Sequence, residues 1–166
     1  YNGSTVVVEV EKIIRADNTS DLELGKKELQ LKVLQESDRV ILHPDAPYMQ
    51  FNADKLSYNW CNNNEEVAYE HVLNFTVKVP NAVQVNVSTV NNGEVHVANT
   101  KGNYVEANNV NGGIRLTNIT GKTKVNCVNG DVDISYAQNP KVSSRYYALN
   151  GDINISYQAS LSANIS

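Results

Sequence analysis

The sequence predicts an all-β protein built as a single-stranded parallel β-helix, or β-solenoid, with about two short strands in each coil of 18–21 residues. Three observations lead to this fold class. Asn-Gly recurs at 92–93, 111–112, 129–130 and 150–151, so successive glycines are separated by 19, 18 and 21 residues. The segments after these pairs read EVHVAN, GIRLTN, DVDISY and DINISY, and the chain before them alternates apolar with polar residues.

The N-terminal half is predicted to be rich in strands. Apolar residues alternate with polar ones in VVVEV at 6–10, in LQLKV at 29–33 and along 67–79, and a period of two residues indicates β-strands. The segment 20–38 is the best helix candidate, but Gly25 lies inside it and its leucines fit a strand spacing better than a helical one. We therefore expect almost no helix.

The length of the chain suggests a single folding unit, because 166 residues are enough for one sizeable core. We expect one compact domain overall. In it a strand-rich N-terminal region, 1–80, continues or caps a repetitive β-solenoid at 81–166. Pro80 interrupts the alternation at this boundary, since proline cannot donate a hydrogen bond to a β-ladder.

The four copies share an apolar pattern, in which the second and fourth residues after the glycine point to one side. They are Val95 and Val97, Ile114 and Leu116, Val132 and Ile134, and Ile153 and Ile155. In a β-solenoid such residues stack about 4.8 Å apart into a shared core. Asn-Gly also favours antiparallel two-residue hairpins. Stacking is the better interpretation, because the similarity runs between copies and not between the arms that flank one Asn-Gly.

The same alignment predicts ladders of like residues at the sixth position after each glycine. These residues are Asn99, Asn118, Tyr136 and Tyr157. Asparagines can satisfy one another's amides along a stack, and tyrosine rings can stack while their hydroxyls stay near water. The outward third position should place Arg115 beside Asp133 on neighbouring coils.

The composition narrows the classes of partner. The formal net charge is −4 and the Lys and Arg residues are scattered, so nucleic acid is not an expected partner. No apolar run approaches the roughly 18–20 residues that cross a bilayer, so we expect no membrane span. The first residues, YNGSTVVVEV, lack a charged start followed by an apolar block. We therefore expect a chain trimmed of any export signal, and a lipid anchor could lie upstream.

The two cysteines, Cys61 and Cys127, are not in a CxxC pattern or near a set of metal ligands, so neither a metal site nor another cofactor is expected. They could form one disulfide, which would require an oxidising compartment, or remain two buried thiols. The sequence leaves both alternatives open.

Two aromatic groups are candidates for ligand binding. The last coil is longer than the others, and its extra segment, 137–151, is predicted to bulge and to carry Arg145, Tyr146 and Tyr147, which either bind a ligand or cover the end of the core. Trp60 and Tyr58 lie in the polar insert KLSYNWCNNNEE at 55–66. They could stack on sugar rings, although a plug over an open end of the solenoid is the simpler role.

The run TVKVP at 76–80 followed by NGEVHV, NGGIRL, NGDVDI and NGDINI resembles an adhesin family of exported bacterial β-solenoid proteins of unknown function, related to auto-transporter adhesin heads. The likeness covers about residues 65–160. It implies a β-solenoid at the cell surface, attached to the outer membrane, or in the periplasm. It also implies a non-enzymatic module that binds a glycan or an extracellular protein. The family offers no catalytic motif to transfer.

The alternative is a β-helix enzyme, a lyase or hydrolase that acts on polysaccharides through stacked carboxylates. The nearest candidates are Asp131, Asp133 and Asp152, of which Asp131 and Asp152 should lie one coil apart. Aspartate directly after Asn-Gly is also ordinary turn chemistry, and this solvated role is the favoured one. We therefore assign no catalytic residue.

Overall fold

The computed structural model describes residues 1–60, 67–91, 93–159 and 161–162, except for the side chain of Trp60. The chain divides into two compact units. The N-terminal unit is Val8–Thr76, and the solenoid unit consists of Tyr1–Val7 and Val77–Ser166.

The N-terminal unit contains short strand pairs and one helix. Its elements are β1 (Val7–Arg15), α1 (Thr19–Glu28), β2 (Gln30–Gln35), β3 (Val40–Asp45), β4 (Met49–Asn52), β5 (Ser57–Trp60) and β6 (Glu70–Lys78). Strand β1 pairs with β6, β2 pairs antiparallel with β3, and β4 pairs antiparallel with β5. The alternating segments at 6–10, 29–33 and 67–79 therefore do form strands, as predicted.

The strand spacing assigned to segment 20–38 is wrong for its first half, which forms the ten-residue helix α1, the one helix among the described residues. Asn18 caps this helix, because its side-chain oxygen accepts a hydrogen bond from the Asp21 backbone N–H at 2.9 Å. Gly25, which argued against a helix, is buried, and a Cβ there would lie 2.7 Å from the Tyr69 ring. Glycine fits inside the helix here because the Tyr69 ring occupies the space that a side chain would need.

The solenoid unit consists of about four coils, and each coil contributes two strands. In chain order the strands are β7 (Val85–Thr89), β8 (Val95–Ala98), β9 (Tyr104–Asn111), β10 (Ile114–Ile119), β11 (Lys122–Asn129), β12 (Val132–Tyr136), β13 (Arg145–Asn150) and β14 (Ile153–Ser156). Sheet A has the order β13-β11-β9-β7, and sheet B has the order β14-β12-β10-β8. All neighbours in both sheets are parallel, which confirms the β-solenoid and excludes hairpins at Asn-Gly.

The register matches the alignment of the copies. Val132 is paired with Ile114 on one side and with Ile153 on the other, and Arg115 lies opposite Asp133, as predicted. The inward residues of the two sheets form one core. Its twelve buried members are Val95, Val97, Val105, Ala107, Ile114, Leu116, Ile119, Val125, Cys127, Val132, Ile134 and Tyr136.

The predicted ladders of like residues are present. The Asn118 amide donates to Asn99 Oδ1 at 2.7 Å, and the Tyr136 and Tyr157 rings stack with centroids 5.3 Å apart at an interplanar angle of 6°. The prediction that the tyrosine hydroxyls stay near water is wrong for Tyr136. Its side chain is buried, and its hydroxyl is 2.6 Å from that of Tyr146, so a second tyrosine replaces water as the partner.

A further asparagine ladder runs along the corner where each strand of sheet A ends. It consists of Asn91, Asn111, Asn129 and Asn150, and we call it the corner ladder. The side-chain amides of Asn111, Asn129 and Asn150 each donate to Oδ1 of the ladder asparagine in the coil before, at 3.1, 2.8 and 2.8 Å in chain order. The last three of these are the asparagines of the repeated Asn-Gly, so in those pairs the asparagine joins coil to coil, while the glycine makes the turn.

Candidate functional site

The outer face of sheet A presents four adjacent side chains of different chemistry. Side chains alternate along a strand, so Arg145 and Tyr147 of β13 face solvent and Tyr146 between them faces the core. The register places Arg145 beside Lys124 and Tyr147 beside Asn126. We call these four outward residues, Lys124, Asn126, Arg145 and Tyr147, the cationic aromatic patch. Tyr147 is 50% exposed, so its ring is available to a ligand.

The preceding coil holds two members of the patch in place. Glu106 of β9 accepts a hydrogen bond from Lys124 Nζ at 2.7 Å and another from the Tyr104 hydroxyl at 2.7 Å. The Asn126 amide donates to Asn108 Oδ1 at 2.7 Å. These contacts fix the ammonium and the amide before any ligand arrives.

Of the two cationic residues of the patch, one is paired with a carboxylate of the described chain and the other is not. Burial alone would raise the pKa of Glu106, but the hydrogen bonds from Lys124 and Tyr104 outweigh it and hold that pKa below its ordinary value. Glu106 is therefore ionised at neutral pH and compensates Lys124. No carboxylate among the described residues forms an ion pair with Arg145. The patch consequently carries a net positive charge on a chain whose formal net charge is −4.

Replacing Glu106 with glutamine should lower the free energy of unfolding by about 1 kcal/mol at neutral pH, since it removes the charge from two hydrogen bonds, one of them to a half-exposed lysine. The folded-state pKa of Glu106 is lowered from the model-compound value of 4.5, so its contribution is present above that value and is lost as the pH falls through the lowered pKa. Urea unfolding from neutral to acidic pH would measure this. The control Glu94→Gln replaces an exposed carboxylate of the same unit and should have little effect. Equal losses for both variants would contradict the assignment.

The position of Tyr146 corrects the prediction that Arg145, Tyr146 and Tyr147 lie on a protruding loop. The loop is 137–144, and the three residues belong to strand β13. Tyr146 faces inward, where its hydroxyl is 2.6 Å from that of Tyr136 and 3.4 Å from that of Tyr157. Burial and these two hydrogen bonds raise the pKa of Tyr146. Tyr146 thus packs against the core, and Arg145 and Tyr147 are left as outward candidates.

The carboxylates of sheet B join neighbouring coils. Asp131 Oδ1 accepts a hydrogen bond from the Asp152 backbone N–H at 3.0 Å, and Asp133 Oδ1 accepts one from the Asn154 amide at 3.2 Å. Arg115 and Asp133 line two depressions on this face, with volumes of about 210 and 190 Å³. The arrangement is that of turn residues holding a register, and it does not favour the polysaccharide-cleaving alternative.

The sequence model of the Toastrack DUF4097 family matches residues 73–166, which is more than half of the chain. The chain belongs to this family. The match includes all eight strands of the solenoid unit, and the family is one of unknown function. No curated protein and no solved structure matches the chain significantly.

Outside the Toastrack match, Tyr58 packs in an aromatic cluster of the N-terminal unit. Its ring centroid lies 5.1 Å from that of Phe51, and its hydroxyl donates to the Pro44 carbonyl at 3.0 Å. Burial raises the pKa of Tyr58. The backbone of Trp60 pairs with Met49 in the β4–β5 hairpin, and its side chain lies outside the described part of the chain. Sugar binding by these two residues stays a prediction.

Cys127 is a buried, free thiol in the core of the Toastrack solenoid. Its Sγ lies 3.2 Å from the Gly130 carbonyl oxygen and 3.4 Å from that of Gly112. Burial raises its pKa, which keeps the thiol protonated and unreactive at neutral pH. Cys127 is therefore a buried thiol and not part of a disulfide. Cys61 lies outside the described residues.

Two further findings concern other kinds of site. Nowhere in the described part of the chain do three or more His, Cys, Asp or Glu side chains come together in a way that could hold a metal ion. Of the residues that the structure describes, none belongs to a helix with the length and hydrophobicity that a membrane crossing requires.

Lys124 and Asn126 are members of the patch that sequence reasoning missed. The segments after Asn-Gly match most closely, and both of these residues lie in the segments before it. Aligning the segments before it, NYVEANNVNG, GKTKVNCVNG and VSSRYYALNG, would have placed Lys124 beside Arg145 and Asn126 beside Tyr147. The signal is weak, since outward residues of a solenoid vary freely.

Proposed function

We propose that this Toastrack protein is a non-enzymatic binding module that recognises acidic glycans through the cationic aromatic patch. The observation that supports this best is the placement of a guanidinium, an ammonium, a phenol ring and an amide side by side on one rigid sheet. Members of the adhesin family that the sequence resembles are exported. The proposal therefore includes a location at the cell surface, attached to the outer membrane, or in the periplasm of a bacterium.

Each patch residue has a chemistry that suits one part of an acidic sugar. The exposed face of the Tyr147 ring can pack against the C–H groups of a pyranose ring. The Arg145 guanidinium presents parallel N–H donors, which match a carboxylate or sulfate in a bidentate arrangement. The Asn126 amide offers both a donor and an acceptor to hydroxyl groups. A uronate or sulfated sugar would use all three.

The rigidity of the patch also supports binding. Strand β13 is held by its parallel ladder to β11, and Lys124 and Asn126 are fixed by Glu106 and Asn108. Groups that are already ordered lose less conformational entropy when a ligand binds. In a flat site that cannot enclose its ligand, this saving matters for affinity, and a repeated acidic polymer can contact several protein copies at once.

A glycan array with the purified chain should show binding to uronate-containing or sulfated polysaccharides and little binding to neutral ones. Tyr147→Ala and Arg145→Ala should each weaken binding about ten-fold, which corresponds to the loss of one stacking or one charged contact. Arg115→Ala is a matched control, because Arg115 is an exposed arginine on the outer face of sheet B. It should leave binding unchanged.

Three outcomes would count against this function. Binding that Arg115→Ala weakens as much as Arg145→Ala would indicate unspecific attraction of anions. Preference for neutral glycans would remove the role of the guanidinium. Shortening of the polysaccharide during incubation would indicate an enzyme. Fractionation of the source cells with an antibody against the chain tests the proposed location separately.

A further inference from the structure

Asn150 and Gly151 form the last rung of the corner ladder. The backbone nitrogens of Gly112 and Gly130 each donate to the asparagine carbonyl of the next coil, from Gly112 to Asn129 at 2.8 Å and from Gly130 to Asn150 at 2.9 Å. Strand β13 is the edge of sheet A among the described strands. Among the described residues, the Gly151 N–H accordingly has no acceptor.

The side-chain hydrogen bonds also differ between the inner asparagines of the ladder and the last one. The side chains of Asn111 and Asn129 each donate a hydrogen bond to the ladder asparagine of the preceding coil, and each accepts one from the ladder asparagine of the following coil. Asn150 donates to Asn129 Oδ1 at 2.8 Å, but within the described part of the chain its own oxygen accepts no hydrogen bond. Both Asn150 and Gly151 are exposed to solvent.

The number of hydrogen bonds at each pair matters because an Asn-Gly pair can deamidate through a cyclic intermediate. The backbone nitrogen of the glycine can attack Cγ of the asparagine side chain, forming a C–N bond to a five-membered succinimide and releasing ammonia. Water then opens the ring at one of its two carbonyls, which gives aspartate or isoaspartate. Glycine permits the attack because it has no side chain to obstruct the nitrogen. The reaction still requires the asparagine backbone to rotate and its amide to leave its partners.

We propose that Asn150 is a site of spontaneous deamidation, and that Asn111 and Asn129 are protected by their position inside the ladder. Rotation at Asn129 breaks two backbone hydrogen bonds, one accepted by the Asn129 carbonyl and one donated by the Gly130 nitrogen. It also breaks the two side-chain hydrogen bonds of Asn129. Rotation at Asn150 breaks one backbone bond and one amide bond. Each hydrogen bond changes an opening equilibrium about five-fold. Asn150 should therefore react about ten- to thirty-fold faster than Asn129.

The product would alter the edge of sheet A at β13. The new carboxylate cannot donate to Asn129 Oδ1, so Asn129 loses the contact that covers it. The side-chain oxygen of Asn129 then accepts no hydrogen bond from the described residues, like that of Asn150 now, and modification would proceed from the coil of β13 towards the earlier coils. Such a sequence of events would shorten the stable part of the repeat one coil at a time.

Peptide mapping by mass spectrometry tests the proposal on the full chain. Trypsin places the three pairs on separate peptides, 102–115, 125–141 and 146–166, so each rate is measured with the other two as controls. Asn92 lies outside the described residues. After incubation in mildly alkaline buffer, deamidation should appear first at Asn150. The same chain in urea should modify all three pairs at similar rates, which shows that the difference comes from the fold.

Two variants complete the test. Asn150→Gln should abolish the early modification, because glutamine would need a less favourable six-membered ring. Asn150→Asp reproduces one product and should raise the rate at Asn129 towards that of Asn150. Equal rates for Asn129 and Asn150 in the folded chain would overturn the proposal. So would protection of Asn150, or a rate at Asn129 that Asn150→Asp leaves unchanged.

Discussion

Replacing Gly130 with alanine should destabilise the solenoid unit by about 3 kcal/mol or more. Gly130 has a φ of 150°, a conformation that residues with a side chain rarely adopt. A Cβ at this position would also lie 2.5 Å from the Gly112 carbonyl oxygen and 2.9 Å from the Gly113 nitrogen. Both atoms belong to the backbone of the neighbouring coil, which is fixed by the parallel ladders and cannot move aside. Chemical unfolding monitored by circular dichroism would measure the loss.

Gly113→Ala is the matched control, one coil away from Gly130. Its φ lies outside the left-handed region, and its added Cβ would meet only the Asp131 carbonyl oxygen, at 3.3 Å. A shift of a few tenths of an ångström relieves that contact, so we expect a change below about 1 kcal/mol. If Gly130→Ala were as stable as Gly113→Ala, the close stacking of the Asn-Gly turns would be wrong.

The stacking of coils could be predicted from the sequence because the repeat itself encodes it. When equivalent residues lie on top of one another, they face the same neighbours and are selected for the same chemistry. Val132 and Ile153 match because both fill the same column of the core, and Asn99 and Asn118 match because each amide needs a partner. The period of the sequence repeat therefore predicts which residues are paired between neighbouring strands.

The helix α1 could not be recovered from propensity and periodicity alone. Gly25 disfavours a helix by about 1 kcal/mol, and the leucine spacing around it suggested a strand. In the folded unit the Tyr69 ring, which is distant in sequence, needs the space above Gly25. A local signal was nevertheless present, since Asn18 followed by Asp21 is a recognisable helix N-terminus.

The site was only partly predictable because outward residues follow no common pattern. The extra length of the last coil points to Arg145 and Tyr147, but the side of the sheet on which each lies depends on where β13 begins. Loop 137–144 hides that starting point from sequence reasoning. A change of one residue in the start would exchange the inward Tyr146 with its two outward neighbours.

Replacing Leu116 with alanine should lower the free energy of unfolding by about 3 kcal/mol. Leu116 is 1% exposed and lies between Val97 and Ile134 of the adjacent coils. A cavity at this point cannot close, because the hydrogen-bonded ladders keep the coils at a fixed spacing of about 4.8 Å. Each coil of a solenoid is also stabilised mainly by its neighbours, so weakening an inner coil weakens contacts on both sides.

Leu149→Ala provides the comparison, because Leu149 is also a leucine in a solenoid strand but is 59% exposed on the outer face of sheet A. Its removal should change the free energy of unfolding by no more than about 0.5 kcal/mol. Equilibrium unfolding of both variants in urea measures the difference. A large loss of unfolding free energy for Leu149→Ala would mean that the outer face of sheet A is covered at this position in the folded protein. A small loss for Leu116→Ala would mean that the apolar residues after Asn-Gly do not form the core, and the parallel stacking of coils would then be wrong.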